Sequence, residues 1–296
     1  MRKSLNKKTI YYICILALLV IIAAVIIVFS NKSEKKSGKN VVCSFYPVYI
    51  MTENLLENTD ISVTNMTSTL TGCIHDYQIT TADMKLLENA GALIVNGGGM
   101  ESFTDNVKTN YKDLQIIEAS FVIDTENPHF WMSIDSEFDA IDYVAGELKK
   151  IFPGESDQIT ENTDAYANKL QSVYEKKLEI TDKIANYSED MCVICFNEAF
   201  EVFADSLSLE TIAVFSTDAD EVPSAGEIKD AIEIAKTHEK TIIMVEEENV
   251  ASAEKIVTET GATVVTLNAL TGGDGSLDSY INGMSGNLEK IAEVIE

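Results

Sequence analysis

The chain has 296 residues, with 22 Lys+Arg against 48 Asp+Glu and a formal net charge of −26. Residues 1–39 hold eight of the basic and one of the acidic residues, so the remainder carries 14 basic against 47 acidic residues, a net charge of −33. Such a surface repels phosphate backbones and excludes non-specific nucleic-acid binding; it reads first as a solvated acidic face that keeps the protein soluble, and second as a field that concentrates cations. Arg2 is the only arginine, so no bidentate clamp for a carboxylate or phosphate can form beyond the N-terminal segment.

Arg2, Lys3, Lys7 and Lys8 precede an apolar run from Ile10 to Phe29. Twenty apolar residues match the width of a bilayer, and the leading basic cluster places that end in the cytoplasm. Residues 1–39 therefore read as an uncleaved signal anchor and polar tether, with cleavage after Ser30 as the alternative. Everything beyond is expected outside the cell membrane.

Residues 40–154 read as a first α/β lobe. Val41–Tyr46 is a short buried strand, and Pro47 suits the first turn of a helix reaching Glu57. Asp60–Met66 alternates as a second strand. Thr80 and Asp83 form a capping-box pattern that opens a helix, and His75 lies in the loop just before it. Ala92–Asn96 is a third strand and Gln115–Glu118 a fourth. Between them Gly97-Gly98-Gly99 lacks the spacing of a dinucleotide fingerprint and the lysine of a P-loop, and reads as a tight turn before a helix near Glu101.

From about Asp157 to Asn186 there is no Gly or Pro, and apolar residues recur at helical spacing among charges. Residues 155–187 thus read as one connecting helix of about thirty residues, ~45 Å long at 1.5 Å per residue. Residues 188–296 read as a second α/β lobe, with strands at Met191–Phe196, Thr211–Phe215, Thr241–Val245 and Thr263–Leu267. A helix from about Ala251 to Glu259 and a terminal helix from Leu288 to Ile295 complete it. Strands alternating with helices give two parallel sheets flanked by helices. Cys192 and Cys195 are too far apart along a strand to bond to each other, and a Cys43–Cys73 bridge stays open. His238, in a polar setting, reads as exposed.

Loops at the carboxyl ends of parallel strands are where such folds bind ligands. His75 belongs to that set and His129 lies in a second loop, and a neutral imidazole is a common metal ligand. There is no His-Glu-x-x-His pattern and no nucleophile elbow, so nothing supports an enzyme.

Ser44-Phe45-Tyr46-Pro47, Gly72-Cys73-Ile74-His75-Asp76-Tyr77, Asn96 to Glu101, Asn127-Pro128-His129-Phe130-Trp131 and Glu198-Ala199-Phe200 occur in this order. Jointly they resemble the extracellular solute-binding proteins of manganese and zinc ABC transporters, across about residues 40–296. The resemblance implies two lobes joined by one rigid helix, a divalent transition metal (Zn or Mn) in the cleft, and an ABC permease as partner to a monomeric receptor. It implies four ligand positions, here His75, His129, Asn197 and Asn268. The family's usual histidine or glutamate at the third position and aspartate at the fourth are both asparagine here. The histidine-rich loop of many zinc importers is missing between Phe103 and Asn127. An amide carbonyl carries no charge and is a poor donor for a borderline-soft ion. Cys73, Glu198 and Glu246 to Glu248 are candidate compensating groups. A degenerate homologue acting as a surface interaction or sensor protein is the alternative.

Overall fold

The architecture follows from eight short, mostly buried strands and the helices that cover them. In a computed structural model that describes residues 38–68, 74–75, 77–124, 126–187, 190–216 and 223–295, β1 (Asn40–Cys43), β2 (Ser62–Asn65), β3 (Ala92–Val95) and β4 (Gln115–Glu118) form one parallel sheet in the order β2-β1-β3-β4. β5 (Met191–Cys195), β6 (Glu210–Val214), β7 (Lys240–Val245) and β8 (Thr263–Thr266) form a second, β6-β5-β7-β8. The two sheets repeat one topology. β3 is buried at all four positions because helices cover both faces of its sheet.

The helices are α1 (Tyr46–Leu55), α2 (Thr81–Glu88), α3 (Thr104–Asn110), α4 (Ile134–Ile151), α5 (Ser156–Ala185), α6 (Glu198–Ser206), α7 (Ala225–Ala235), α8 (Glu254–Thr260) and α9 (Ser279–Val294). α5 is the connecting helix, 30 residues long. Its buried stripe, Ile159, Tyr166, Leu170, Val173 and Ile180, packs into a continuous apolar core. That core runs from Val41 and Leu93 in the first sheet to Val193 and Met244 in the second. A smaller core built on Phe196, Phe215, Ile243 and Ile256 covers the other face of the second sheet.

Several local expectations meet corrections. α4 and α7 have no counterpart in the sequence reading, although Ser133 and Ser224 cap them in the usual way. α9 begins at Ser279, well before Leu288. The helix expected from Ala251 is 3-10 over Glu247–Ala253 and becomes α-helical only at Glu254. His238 is largely enclosed and pairs with Asp190 at 3.1 Å, so it is not an exposed residue. Cys43 is a buried free thiol, and burial pushes its pKa up to about 12, so it is neither bridged nor reactive. Cys192 and Cys195 are also buried and free, as their strand spacing requires.

The glycine triplet is a turn. Gly97, Gly98 and Gly99 all have positive φ. A Cβ on Gly97 would meet the Ser120 hydroxyl at 2.7 Å, and one on Gly98 would meet Pro128 at 3.0 Å. Glu101 does not begin a helix, which waits until Thr104. Its buried carboxylate instead accepts from the Ser44 hydroxyl (2.6 Å), Asn96 N–H (2.6 Å) and Gly97 N–H (3.1 Å). It therefore ties the loop after β1 to the loop after β3. Burial raises its pKa, and these donors oppose the shift. Glu101→Ala leaves two buried N–H groups unpaired, at about 1–3 kcal/mol each. Urea unfolding is expected to show a loss of about 2–6 kcal/mol, the sum for the two unpaired groups. A loss below about 1 kcal/mol would contradict the anchoring role.

The expected membrane anchor, Cys73 and Asp76 lie outside the described residues. Among the described residues no helix is long and apolar enough to cross a membrane.

Candidate metal centre

His75 is carried by the loop that ends at α2. The capping box forms as the sequence demands: Asp83 N–H donates to Thr80 Oγ1 (3.3 Å), and Thr80 N–H donates to the Asp83 carboxylate (2.7 Å). The Thr80 hydroxyl (2.7 Å) and the Tyr77 hydroxyl (2.8 Å) also donate to that carboxylate. This fixes the chain two residues beyond His75.

His129 stands just before a 3-10 turn, Phe130–Met132. The structure brings the two histidines together. Their rings lie nearly parallel, 16° apart, with centroids 5.6 Å apart. His129 is buried, and His75 is half-buried with an enclosed Nε2 that has no hydrogen-bond partner among the described residues. Burial, and secondarily the neighbouring His75, hold the His129 pKa down at about 4. Its imidazole is therefore neutral at physiological pH, the form that can ligate a cation.

Asn127 decides which nitrogen of His129 has the lone pair. Its Nδ2 donates to the Glu198 carbonyl (3.0 Å) and the Glu201 carboxylate (2.9 Å), so its Oδ1 must be the atom facing His129. That oxygen accepts from His129 N–H (3.2 Å) and Nδ1–H (2.7 Å), which puts the lone pair on Nε2. Because Glu198 and Glu201 belong to α6, the same amide joins the first lobe to the second. The sequence reading missed this residue. Its signal was an Asn two positions before a histidine, the spacing of an Asx turn.

Trp131, the only tryptophan, continues the junction. Its Nε1–H donates to the Ala269 carbonyl at 2.9 Å, and its ring lies 5.2 Å from His129 and 5.1 Å from Phe45. The histidine loop is thus held between the loop after β5 and the loop after β8.

Those two loops carry Asn197 and Asn268, and both amides are engaged locally. Asn197 caps α6, with Oδ1 accepting from Ala199 N–H at 2.8 Å, and its Nδ2 donates to the Glu246 carboxylate at 3.0 Å. Burial raises the Glu246 pKa, and the Asn197 bond opposes that shift. Asn268 Oδ1 accepts from Leu270 N–H at 2.7 Å, at a bend where Leu270 takes a positive φ. The Asn268 backbone is gripped by Asn287, with bonds of 2.9 and 2.8 Å. Among the described residues no three of His, Cys, Asp and Glu converge closely enough to hold an ion. Among the described residues two imidazoles come together here, and the side-chain oxygens of Asn197 and Asn268 bond within the second lobe.

Residues 41–294 match the family model described as zinc-uptake complex component A, periplasmic (ZnuA). The chain belongs to that family. ZnuA-family relatives include the manganese-binding lipoprotein MntA of Halalkalibacterium halodurans, 22% identical over 249 residues that cover 81% of each chain. The high-affinity zinc uptake system protein ZnuA of Bacillus subtilis is 25% identical over 286 residues and 86% of each chain. Among solved structures, the solute-binding protein FpvC of Pseudomonas aeruginosa in complex with Mn2+ shares the fold at a TM-score of 0.73 and 22% identity, over 86% of this chain and 97% of its own. AdcAII of Streptococcus pneumoniae gives 0.73 at 22% identity, over 88% and 99%.

Proposed function

We propose that this chain is the membrane-tethered receptor of an importer for a divalent transition metal, zinc or manganese, and that it delivers the ion to an ABC permease. The observation that carries this reading is the close pairing of His75 and His129, with Nε2 of His129 selected as acceptor by Asn127. His75 and His129 are the ligands, and Asn197 and Asn268 are the positions that face them from the second lobe. The N-terminal segment is the anchor, and the acidic surface raises the local concentration of cations. Relatives named for manganese and zinc support the choice of ion. No catalytic role is assigned.

A second reading, a homologue that binds no metal and acts through protein contacts, is favoured by the engagement of both asparagine oxygens in backbone bonds. One experiment separates the two. The full-length chain is stripped with chelator, and its melting temperature is followed during zinc and manganese titrations. A ligand that binds only the folded state adds RT ln(1 + [L]/Kd), ~2.7 kcal/mol at a hundredfold excess over Kd. A saturable rise that His75→Ala with His129→Ala removes is the expected result. A cooperative transition that neither ion moves would establish the second reading for those ions.

A further inference from the structure

Trp131 joins His129 to the second lobe, and it is fully buried. Its ring centroid lies 5.2 Å from that of His129, with the planes inclined at 57°. A binding side chain keeps its geometry, to about 0.5 Å and 10–20°, only when the groups packed on it are themselves locked. Whatever fixes Trp131 therefore fixes the plane of the His129 ring.

The 3-10 turn that carries Trp131 closes on two bonds of its own. Met132 N–H donates to the His129 carbonyl (3.1 Å), and Ser133 N–H to the Phe130 carbonyl (2.9 Å). The carbonyl and the indole N–H of Trp131 both reach the second lobe. The carbonyl accepts from the Tyr280 hydroxyl at 2.7 Å, and Nε1–H donates to the Ala269 carbonyl at 2.9 Å.

These two attachments share one support. Tyr280 lies in the first turn of α9, and Asn287 follows seven residues later, two turns along the same face and ~10 Å away. Both are buried, with Met284 between them. Asn287 Oδ1 accepts from Asn268 N–H at 2.9 Å, and its Nδ2 donates to the Asn268 carbonyl at 2.8 Å. One amide thus pins both backbone groups of the residue before Ala269. The bonds close into a ring, from α9 through Tyr280 to Trp131, then through Ala269 and Asn268 to Asn287 and back to α9. Satisfied buried networks of this kind rigidify what they enclose.

We propose that Tyr280 and Asn287 are positioning residues for the metal ion. Through Trp131 they set the plane of the His129 ring, as Asn127 sets its tautomer. This rests on the receptor reading above, and the test distinguishes failure of one from failure of the other.

Tyr280→Phe removes one hydroxyl, and Asn287→Leu removes the amide at nearly constant volume. The full-length chain and each variant are titrated with zinc and with manganese, and Trp131, the only tryptophan, is probed by acrylamide quenching of its fluorescence. Each variant is expected to bind the ion about tenfold more weakly, the lower end for loss of an outer-shell partner, and to show stronger quenching. Asn162→Ala deletes two bonds from α5, to the Leu55 and Glu57 carbonyls, and is the control for stability alone. It is expected to lower the melting temperature and leave affinity and quenching unchanged. If Asn287→Leu does not fold, Tyr280→Phe carries the test. Unchanged affinity in the folded variants overturns the proposal and leaves the receptor reading intact, as does an equal loss of affinity in Asn162→Ala. If the unmodified chain binds neither ion, the receptor reading falls and the proposal with it.

Discussion

Replacing Asn197 by histidine together with Asn268 by aspartate is expected to tighten zinc binding by ~100-fold or more, given that an outer-shell partner alone is typically worth 10–100-fold. The two changes act differently. Aspartate at 268 keeps the acceptor for Leu270 N–H, now 2.7 Å from Oδ1, and adds a charged oxygen at almost the same size. Histidine at 197 gives up the cap on Ala199 N–H, at a cost of about 1 kcal/mol. It gains a ready outer partner, since the Glu246 carboxylate sits 3.0 Å from the present amide nitrogen. That carboxylate would accept one ring N–H and leave the other nitrogen as the donor. The result is three nitrogens and one carboxylate oxygen, a set suited to tetrahedral zinc. Competition against a chromophoric chelator measures the change. Unchanged affinity in a folded double variant would show that the second-lobe loops do not face the histidines.

Glu137→Gln is expected to stabilise the protein at neutral and alkaline pH. Glu137 is 2% exposed within the first turn of α4. Burial lifts its pKa to about 8, and the adjacent Tyr166 hydroxyl on α5 eases that shift without reaching hydrogen-bonding geometry. A carboxyl whose pKa is higher folded than unfolded holds its proton better in the native state. Its contribution is therefore most favourable below about pH 4.5 and declines as pH rises to about 8. At ~1.4 kcal/mol per pKa unit the full swing is at most about 5 kcal/mol, and roughly 3 of these are felt by pH 7. Glutamine is neutral throughout and removes the penalty. Denaturant midpoints for the two proteins should coincide near pH 4.5 and separate steadily above it. Parallel pH profiles would mean that Glu137 ionises freely in the folded state.

Glu137 also shows what a sequence hides. It falls three residues after Ile134, on the stripe continued by Ile141, Val144 and Leu148, so its helical position pointed inward. Periodicity revealed all eight strands and the connecting helix, because buried runs and a long break-free amphipathic stretch are one-dimensional signals. α4 carries the same kind of signal between Ser133 and Lys150, a serine cap followed by a buried stripe that Glu137 interrupts. The likeness to a metal-receptor family was also legible, through five short motifs in order. The engagement of the asparagines was not, because an amide oxygen's partner is chosen by φ/ψ at positions 199 and 270. Glu101 looked like a helix opener and proved to be a tie between loops, a role set by contacts more than fifty residues away in sequence.

The apolar core that passes through α5 without interruption has a kinetic consequence. Rotating one lobe away from the other would break the Trp131–Ala269, Asn127–Glu198, Tyr46–Ser279 and Asn54–Leu277 bonds and wet the apolar surface beneath them. These contacts oppose a wide opening of the two lobes. Capture is then timed by loop fluctuations in nanoseconds to microseconds, not by the slower swing of whole domains. Dwell time becomes the controlled quantity. Separating the lobes then costs those bonds and the wetting of that apolar surface together, which slows it.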